Sequence, residues 1–261
     1  MIIILWSIGS YFSYFQKTNK KTILVAGVNK KDVLYVLLVA VDEDTKTMQP
    51  IHISRNTICK YNDLDSVGRI IGTKTGKIRN SYKGVNDELL GLINIKDAVC
   101  QLFDNVRIDY YATIDLSHIA DITQVFEGIE ITINEDYTDL DPTYTKGTTF
   151  VITPEGANQF VIGDESKESV DRIEKRTSAY VDGLFEYGQY KHHDDEEYFE
   201  RKYAEITKYC LFNSNDIIYY AGNVAEYVNL PVISLSGQNT ADGKIIDQKD
   251  IDDICLSYIY N

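Results

Sequence analysis

Two long apolar runs stand near the front of the chain. Thr22 to Val28 (TILVAGV) is nearly continuous and is bounded by Asn29-Lys30-Lys31, and Val33 to Val41 (VLYVLLVAV) follows, longer and rich in valine. Runs of this length without polar alternation predict strands covered on both faces. Asp42 to Lys46 predicts a turn and Met48 to Ile53 a third strand, so the three segments form a hairpin-like unit. The period then changes. Leu89, Leu92, Ile95, Val99 and Leu102 recur at helical spacing between Asn86 and Phe103. Asp109 to Ile114 predicts a strand; Asp115 or Ser117 can cap a helix running to Phe126, and Gly128 supplies its stop. Ile129, Ile131 and Ile133 alternate, as in a half-buried strand. Thr153-Pro154-Glu155 has the cap, first-turn proline and acid of a helix start. A helix from Glu168 to Phe185 presents Val170, Ile173, Val181 and Leu184; a charged start at Lys191 to Glu200 opens another through Cys210. Pro231 to Leu235 predicts a short strand and Asp250 to Tyr260 a last helix, while Tyr110-Tyr111 and Tyr219-Tyr220 sit in strand-like runs. Strands and helices alternate without a repeat or a long linker. The expectation is one mixed α/β domain over residues 22–261, with a central, mostly buried β-sheet flanked by helices.

Residues Met1 to Phe15 (MIIILWSIGSYFSYF) carry no charge, and Lys17, Lys20 and Lys21 follow. A membrane span needs about 20 apolar residues, so this run is short by about a turn. It lacks the basic start and small-residue cleavage site of a secretory signal. A core element, a truncated signal and a clipped membrane helix are the three readings. The preferred one is a partial transmembrane anchor over 1–15, with 16–21 as linker. The basic flank on its C-terminal side would by itself hold that side in the cytoplasm.

Composition narrows the function classes. Hydrophobic residues make up 44% and charged residues 25%, ordinary for a chain that buries a core. Twenty-six Lys and Arg against 40 Asp and Glu give a net charge of −14, which argues against a nucleic-acid partner. Cys59, Cys100, Cys210 and Cys255 lie far apart without metal-ligand rhythm and read as small buried residues. His192-His193-Asp194-Asp195-Glu196-Glu197 gathers imidazoles and carboxylates. Adjacent helical positions point about 100° apart, so a solvated acidic helix start explains the segment better than a metal cluster. His52 and His118 stand alone and read as structural. No glycine-rich phosphate loop and no G-x-S-x-G elbow is present.

Several short segments share one resemblance. Ile51-His52-Ile53-Ser54-Arg55-Asn56-Thr57 resembles the S-I-P-R-D-T or I-N-R-D-T signature of the LytR-CpsA-Psr family, and Lys77-Ile78-Arg79-Asn80-Ser81-Tyr82 resembles K-I-N-x-A-Y. Ile108-Asp109-Tyr110-Tyr111, then Phe126 to Ile131, resemble I-D-Y-Y and G-G-V-E-V, and Asp171 to Arg176 stands where the family has R-x-x-R-Q. Leu230-Pro231-Val232 and the stretch from Ile246 to Tyr260 are similar to the closing strand and helix, so the resemblance covers about residues 21–261. It implies a single-pass membrane protein of mostly Gram-positive bacteria with its domain outside the cell. It implies transfer of a glycopolymer, teichoic acid or capsule, from a polyprenyl-pyrophosphate carrier to peptidoglycan. The lipid would lie in an apolar cavity and the pyrophosphate on arginines and a magnesium ion held by Asp residues. Such a donor set suits phosphoryl transfer, which rests on positioning and charge stabilisation.

Carried over residue by residue, the resemblance leaves Arg55 and Arg172 as the catalytic candidates, with Lys77, Lys175 and Arg176 as further pyrophosphate contacts. Lys175 replaces an arginine and keeps charge without the guanidinium fork. The metal positions fall on Asn29, Asp32 and Asn56, with Asp32 two places from the aligned Leu34; the paired arginines of F-V-R-x-R fall on Ile162 and Asp164. Two acids have become neutral amides and two arginines are gone, which predicts weak magnesium binding and weaker pyrophosphate binding. The expected function is therefore a catalytically impaired relative that binds polyprenyl-(pyro)phosphate-linked glycopolymer, with magnesium required only if it is active. An active phosphotransferase with an altered metal site is the first alternative. A membrane-anchored regulatory or structural protein that keeps only the fold is the second.

Overall fold

A computed structural model describes residues 19–83, 87–190 and 196–260. The proposed anchor at 1–15, its linker up to residue 18, and the charged segment 191–195 lie outside the described residues. Among the described residues no helix is long and apolar enough to cross a membrane.

Three antiparallel strands, β1 (Lys20–Asn29), β2 (Asp32–Asp42) and β3 (Thr47–Ile53), form the centre of the fold. In β2, every residue from Val33 to Val41 is buried, as its unbroken apolar run predicts for a strand covered on both faces. A small antiparallel ribbon, β4 (Ile58–Leu64) with β5 (Ile70–Lys77), follows β3. The helix α1 (Glu88–Leu102) starts at Asp87, whose carboxylate accepts from the N–H groups of Leu89 and Leu90. Next come β6 (Tyr110–Asp115), α2 (Ile119–Val125), β7 (Ile129–Thr132) and β8 (Thr149–Ile152). The long helix α3 (Val170–Tyr190) precedes α4 (Glu196–Thr207), β9 (Cys210–Phe212) and α5 (Asp216–Gly222). Short strands β10 (Val228–Asn229), β11 (Ile233–Ser234), β12 (Gly237–Asn239) and β13 (Lys244–Ile246) lead to α6 (Gln248–Ile254).

The main sheet runs β10-β3-β2-β1-β6-β9, with β11 also on β3; β6 is parallel to β1 and β9 antiparallel to β6. Period-two alternation divides its two faces. Leu24, Ala26, Leu38 and Ile51 face Ile95 and Val99 of α1 and Ile251 of α6, while Ile23, Leu37 and Val39 face Val181 and Phe185 of α3. The result is a three-layer mixed α/β domain.

Helix α3 comes close to β7 because Gly183 has no side chain. A Cβ there would lie 2.4 Å from the Glu130 carbonyl oxygen and under 3 Å from Ile129 and Ile131. Alanine usually favours a helix over glycine, but this site should reverse that order. We expect Gly183→Ala to destabilise the fold by about 1–3 kcal/mol, as overpacking does, in urea unfolding followed by circular dichroism.

Two segments differ from the sequence expectation. The helix expected to run through Cys210 ends at Thr207, and Cys210–Phe212 is a strand whose pairing with β6 comes from contacts distant in sequence. Tyr219 and Tyr220 lie in α5 rather than in a strand, with Tyr220 buried and Tyr219 exposed, an amphipathic arrangement that fits either period over so short a run.

Candidate functional site

The hairpin order puts the β1–β2 turn and the end of β3 at one end of the sheet. Asp32 opens β2 and is opposite Asn29, while Val36 pairs with Ile53, two residues before Arg55. A short 3-10 turn, Ile78–Ser81, is pinned beside them. The Ile78 N–H donates to the Thr57 carbonyl at 2.8 Å, and the Arg79 N–H to the Arg55 carbonyl at 3.2 Å. The chain from β5 is thereby fastened to the exit of β3, bringing Arg79 next to Arg55.

The side chains at this end form one charged network. Arg79 donates from Nε to Asp32 Oδ1 at 3.0 Å and from Nη2 to Asp32 Oδ2. Its Nη1 and Nη2 donate to the two oxygens of Glu165 at 3.0 and 2.9 Å. The guanidinium thus makes a two-point contact with each of two carboxylates. Lys83 adds an ion pair to Asp32 at 3.3 Å. Burial works to raise the Asp32 and Glu165 carboxyls, but Arg79 with Lys83, and Arg79 with Arg55, outweigh it and hold both below their ordinary values.

Arg55 itself is fully buried, and its Nε, Nη1 and Nη2 have no hydrogen-bond partner. Its one side-chain ion pair in the network runs from Nη2 to Glu165 Oε1 at 3.2 Å. Burial pulls its pKa down, although Glu165 and Glu174 work to raise it. Such a guanidinium, desolvated but not satisfied, is suited to an anion with several oxygens. Glu165, its ion-pair partner, lines a polar cleft of about 810 Å³ together with Lys77, Arg79, Asn80, Lys83 and Asp242 among others.

Behind Arg55, Glu174 of α3 accepts the Arg55 backbone N–H at 2.7 Å. Burial pushes the Glu174 carboxyl up to about 7, against the Arg55 N–H, the Ser54 hydroxyl and the Arg55 charge. His52 Nε2 lies 3.8 Å from Glu174, and burial lowers that imidazole to about 3, so it is neutral. The His52 ring stacks on Tyr35, with centroids 4.5 Å apart. Tyr35 in turn lines an apolar cavity of about 240 Å³ between the sheet and helices α2, α3 and α5. Ile23, Leu37 and Val39 form one wall, and Ile122, Val181 and Leu184 belong to the other. Three of its hydroxyls are already engaged: Tyr35 with Ser178, Tyr180 with Thr123, and Thr177 with the carbonyls of Val161 and Ile173. One chain of contacts therefore leads from an apolar chamber, through Tyr35, His52 and Glu174, to the Arg55 backbone, and from the Arg55 guanidinium through Glu165 to a polar cleft.

The candidates named from sequence do not all meet there. Arg55 and Asp32 join through Arg79 and Glu165, and Lys77 lines the cleft. Arg172 instead pairs with Asp139 and with Glu168 at 3.3 Å, and Lys175 pairs with Glu135 at 2.6 Å and Asp171 at 3.1 Å. Arg176 is fully buried, with Nε donating to the Phe160 carbonyl at 2.9 Å and both terminal nitrogens reaching Glu168. Arg172 and Lys175 are thus held in ion pairs at the surface of α3 and Arg176 in a buried one, each with acids other than Asp32 and Glu165. Gly163 allows this arrangement: at φ +64° its missing side chain leaves room for Glu168 and the Arg176 Nη2, which would lie 2.7 and 2.9 Å from a Cβ. On either side, Ile162 packs against the core and Asp164 caps its own exposed turn through Ser166.

The residues do not suit a divalent cation. Asp32 is already engaged by Arg79 and Lys83, Asn29 and Asn56 are neutral, and among the described residues no three His, Cys, Asp or Glu side chains gather for a metal ion. Arg79, Glu165, Lys83 and Glu174 are not among the site candidates that the sequence offers. The available signal was Arg79, a charged residue where the K-I-N-x-A-Y pattern has an amide. The acids gave none, being joined to the site only by tertiary contacts.

The family is shown by the sequence. The model of the LytR_cpsA_psr family matches residues 8–178, and the chain belongs to that family. Its fold is similar to that of Bacillus subtilis TagV, with a TM-score of 0.69 at 17% identity over 93% of this chain and 97% of TagV. The gbs0355 protein of Streptococcus agalactiae gives 0.66 at 16% identity over 92% and 86%. A structure of TagT bound to LIIa-WTA gives 0.64 at 15% identity over 92% and 89%. No curated protein matches the chain in sequence.

Proposed function

We propose that this protein binds a cell-wall glycopolymer on a polyprenyl-(pyro)phosphate carrier at the outer face of the membrane, with transfer to peptidoglycan impaired. The observation that carries the reading is the apolar cavity linked through Tyr35, His52 and Glu174 to the backbone of Arg55, a residue whose buried guanidinium is unsatisfied. The prenyl chain would occupy the cavity, Arg55 would meet the phosphate, and the glycan would leave through the polar cleft. Family membership and a relative bound to a wall teichoic acid ligand support the class of substrate. Residues 1–15 would anchor the domain formed by 22–261. The replaced acids, and arginines of α3 already engaged by Asp139 and Glu168, support impaired transfer.

Size restricts the lipid segment. A cavity of 240 Å³, against about 150 Å³ for one that takes up benzene, holds a branched chain of about ten carbons. The phosphate-proximal isoprene units fit this volume. We expect geranyl phosphate, whose chain has ten carbons, to stabilise the protein at about 100 times its Kd by about 2.7 kcal/mol, a rise of about 5–10 °C in melting temperature. Val181→Phe, which fills the cavity from α3, should remove that rise while the unliganded protein stays folded. Absence of a shift in the parent chain would count against lipid binding. Magnesium-dependent release of lipid phosphate from a lipid-pyrophosphate saccharide would favour the active transferase instead.

A further inference from the structure

Building on the anion-binding reading above, we propose that the Arg79 guanidinium takes the place of a divalent cation in this site, so that a pyrophosphate group is bound without metal. Arg79 occupies the position such an ion would need, between two carboxylates, with two contacts to Asp32 and two to Glu165. A magnesium ion between the same acids would have to displace a forked, four-contact ion pair. It would gain only amide oxygens at Asn29 and Asn56, a poor exchange for a hard cation that prefers carboxylates.

The charges balance in the same sense. Asp32 and Glu165 face Arg79, Arg55 and Lys83, so the cluster keeps one net positive charge as long as Glu174, behind Arg55, holds its proton. On the cleft wall Lys77 and Asp242 offset each other. A phosphate therefore meets a positive site that is already neutralised around its acids. One of the five N–H groups of Arg79 remains outside the four contacts, and the three Arg55 nitrogens have no hydrogen-bond partner. These are the donors left to meet phosphate oxygens. Arg79 also cannot be lost to chelation, being held by the chain and by its backbone bond to Arg55.

The test is calorimetric titration of the full chain in detergent with inorganic pyrophosphate, once in EDTA and once in magnesium. Wild type should give dissociation constants within about two-fold of each other. Arg79→Asn should bind at least ten-fold more weakly in EDTA and recover part of the loss in magnesium, because Asp32 and Glu165 have then lost the Arg79 fork and keep only single ion pairs to Lys83 and Arg55. Arg79→Lys keeps the charge without the fork and should lie between them; it also guards against misfolding in the asparagine variant. Wild-type binding that appears only with magnesium would overturn this inference and leave the proposed function standing. So would an Arg79→Asn protein that binds as tightly as wild type in EDTA. No pyrophosphate binding by wild type in either buffer would overturn both.

Discussion

Replacing Arg55 by methionine is expected to raise the melting temperature while abolishing pyrophosphate binding. The guanidinium is fully buried, yet none of its nitrogens has a hydrogen-bond partner, and its ion pair with Glu165 spans 3.2 Å. Removing an ion of this kind from water costs several kcal/mol, and a buried ion pair is often no more stable than an apolar replacement. Methionine keeps a long flexible stem that can fill the space. The partners are not stranded. Glu165 keeps the Arg79 fork, and Glu174, with its carboxyl near 7, can take up a proton. A gain of about 1–2 kcal/mol follows, or about 2–8 °C for a domain of this size. Binding moves the other way. Each charged hydrogen bond to phosphate is worth about 1.5–3 kcal/mol, so losing two weakens affinity at least about 100-fold. Differential scanning fluorimetry and titration with pyrophosphate check the two halves. A melting temperature lowered by many degrees would make Arg55 a structural residue, and retained binding would remove it from the site. The opposed directions are what a functional residue held at a stability cost should give.

The parts of this fold legible in the sequence are those in which one local period dominates. The runs in β1 and β2 and the capped, periodic helix α1 announce themselves because burial there is uniform or regular. The β4–β5 ribbon does not. Most of β5 is exposed, including Ile70 and Ile71, so neither face carries a core-like period. The three-residue strand β9 is shorter than any reliable period and depends on β6, about a hundred residues away. The site divides in the same way. Arg55 follows a strand of the expected register and was legible from its motif. Glu165, ahead of α3, and Glu174, within it, reach Arg55 across 110 and 119 positions, and only tertiary packing brings them there. Arg172 shows the converse, since its motif position was readable but its partner, Asp139, was not. Motif alignment places a residue on an element, while the nearest opposite charge decides which way its side chain goes.

The second large effect is on the pH dependence of stability, and Glu174 carries it. Its carboxyl holds a proton up to about pH 7 in the folded protein but releases it near 4.5 once unfolded. Between these values the unfolded state binds fewer protons than the native state, so stability falls as pH rises from 4.5 to 7 and stays lower above. The difference between the two values corresponds to about 3 kcal/mol at pH 8. Asp182, raised to about 6 by burial and accepting from the Val232 N–H at 2.9 Å, adds a loss of the same sign that is complete at lower pH. Glu174→Gln should remove the larger loss. The amide oxygen can still accept the Arg55 N–H, and the amide nitrogen can donate toward His52 Nε2, a buried atom with no partner. Neutral His52, lowered to about 3, remains an acceptor throughout this range. Urea unfolding at pH 5 and pH 8 should therefore show a drop in wild type that Glu174→Gln largely abolishes. Asp182→Asn should keep the larger drop that Glu174 produces up to about pH 7 and lose only the smaller share that ends near pH 6. Equal slopes in wild type and Glu174→Gln would mean that the carboxylate remains charged in the fold, compensated by Arg55 more fully than its burial implies.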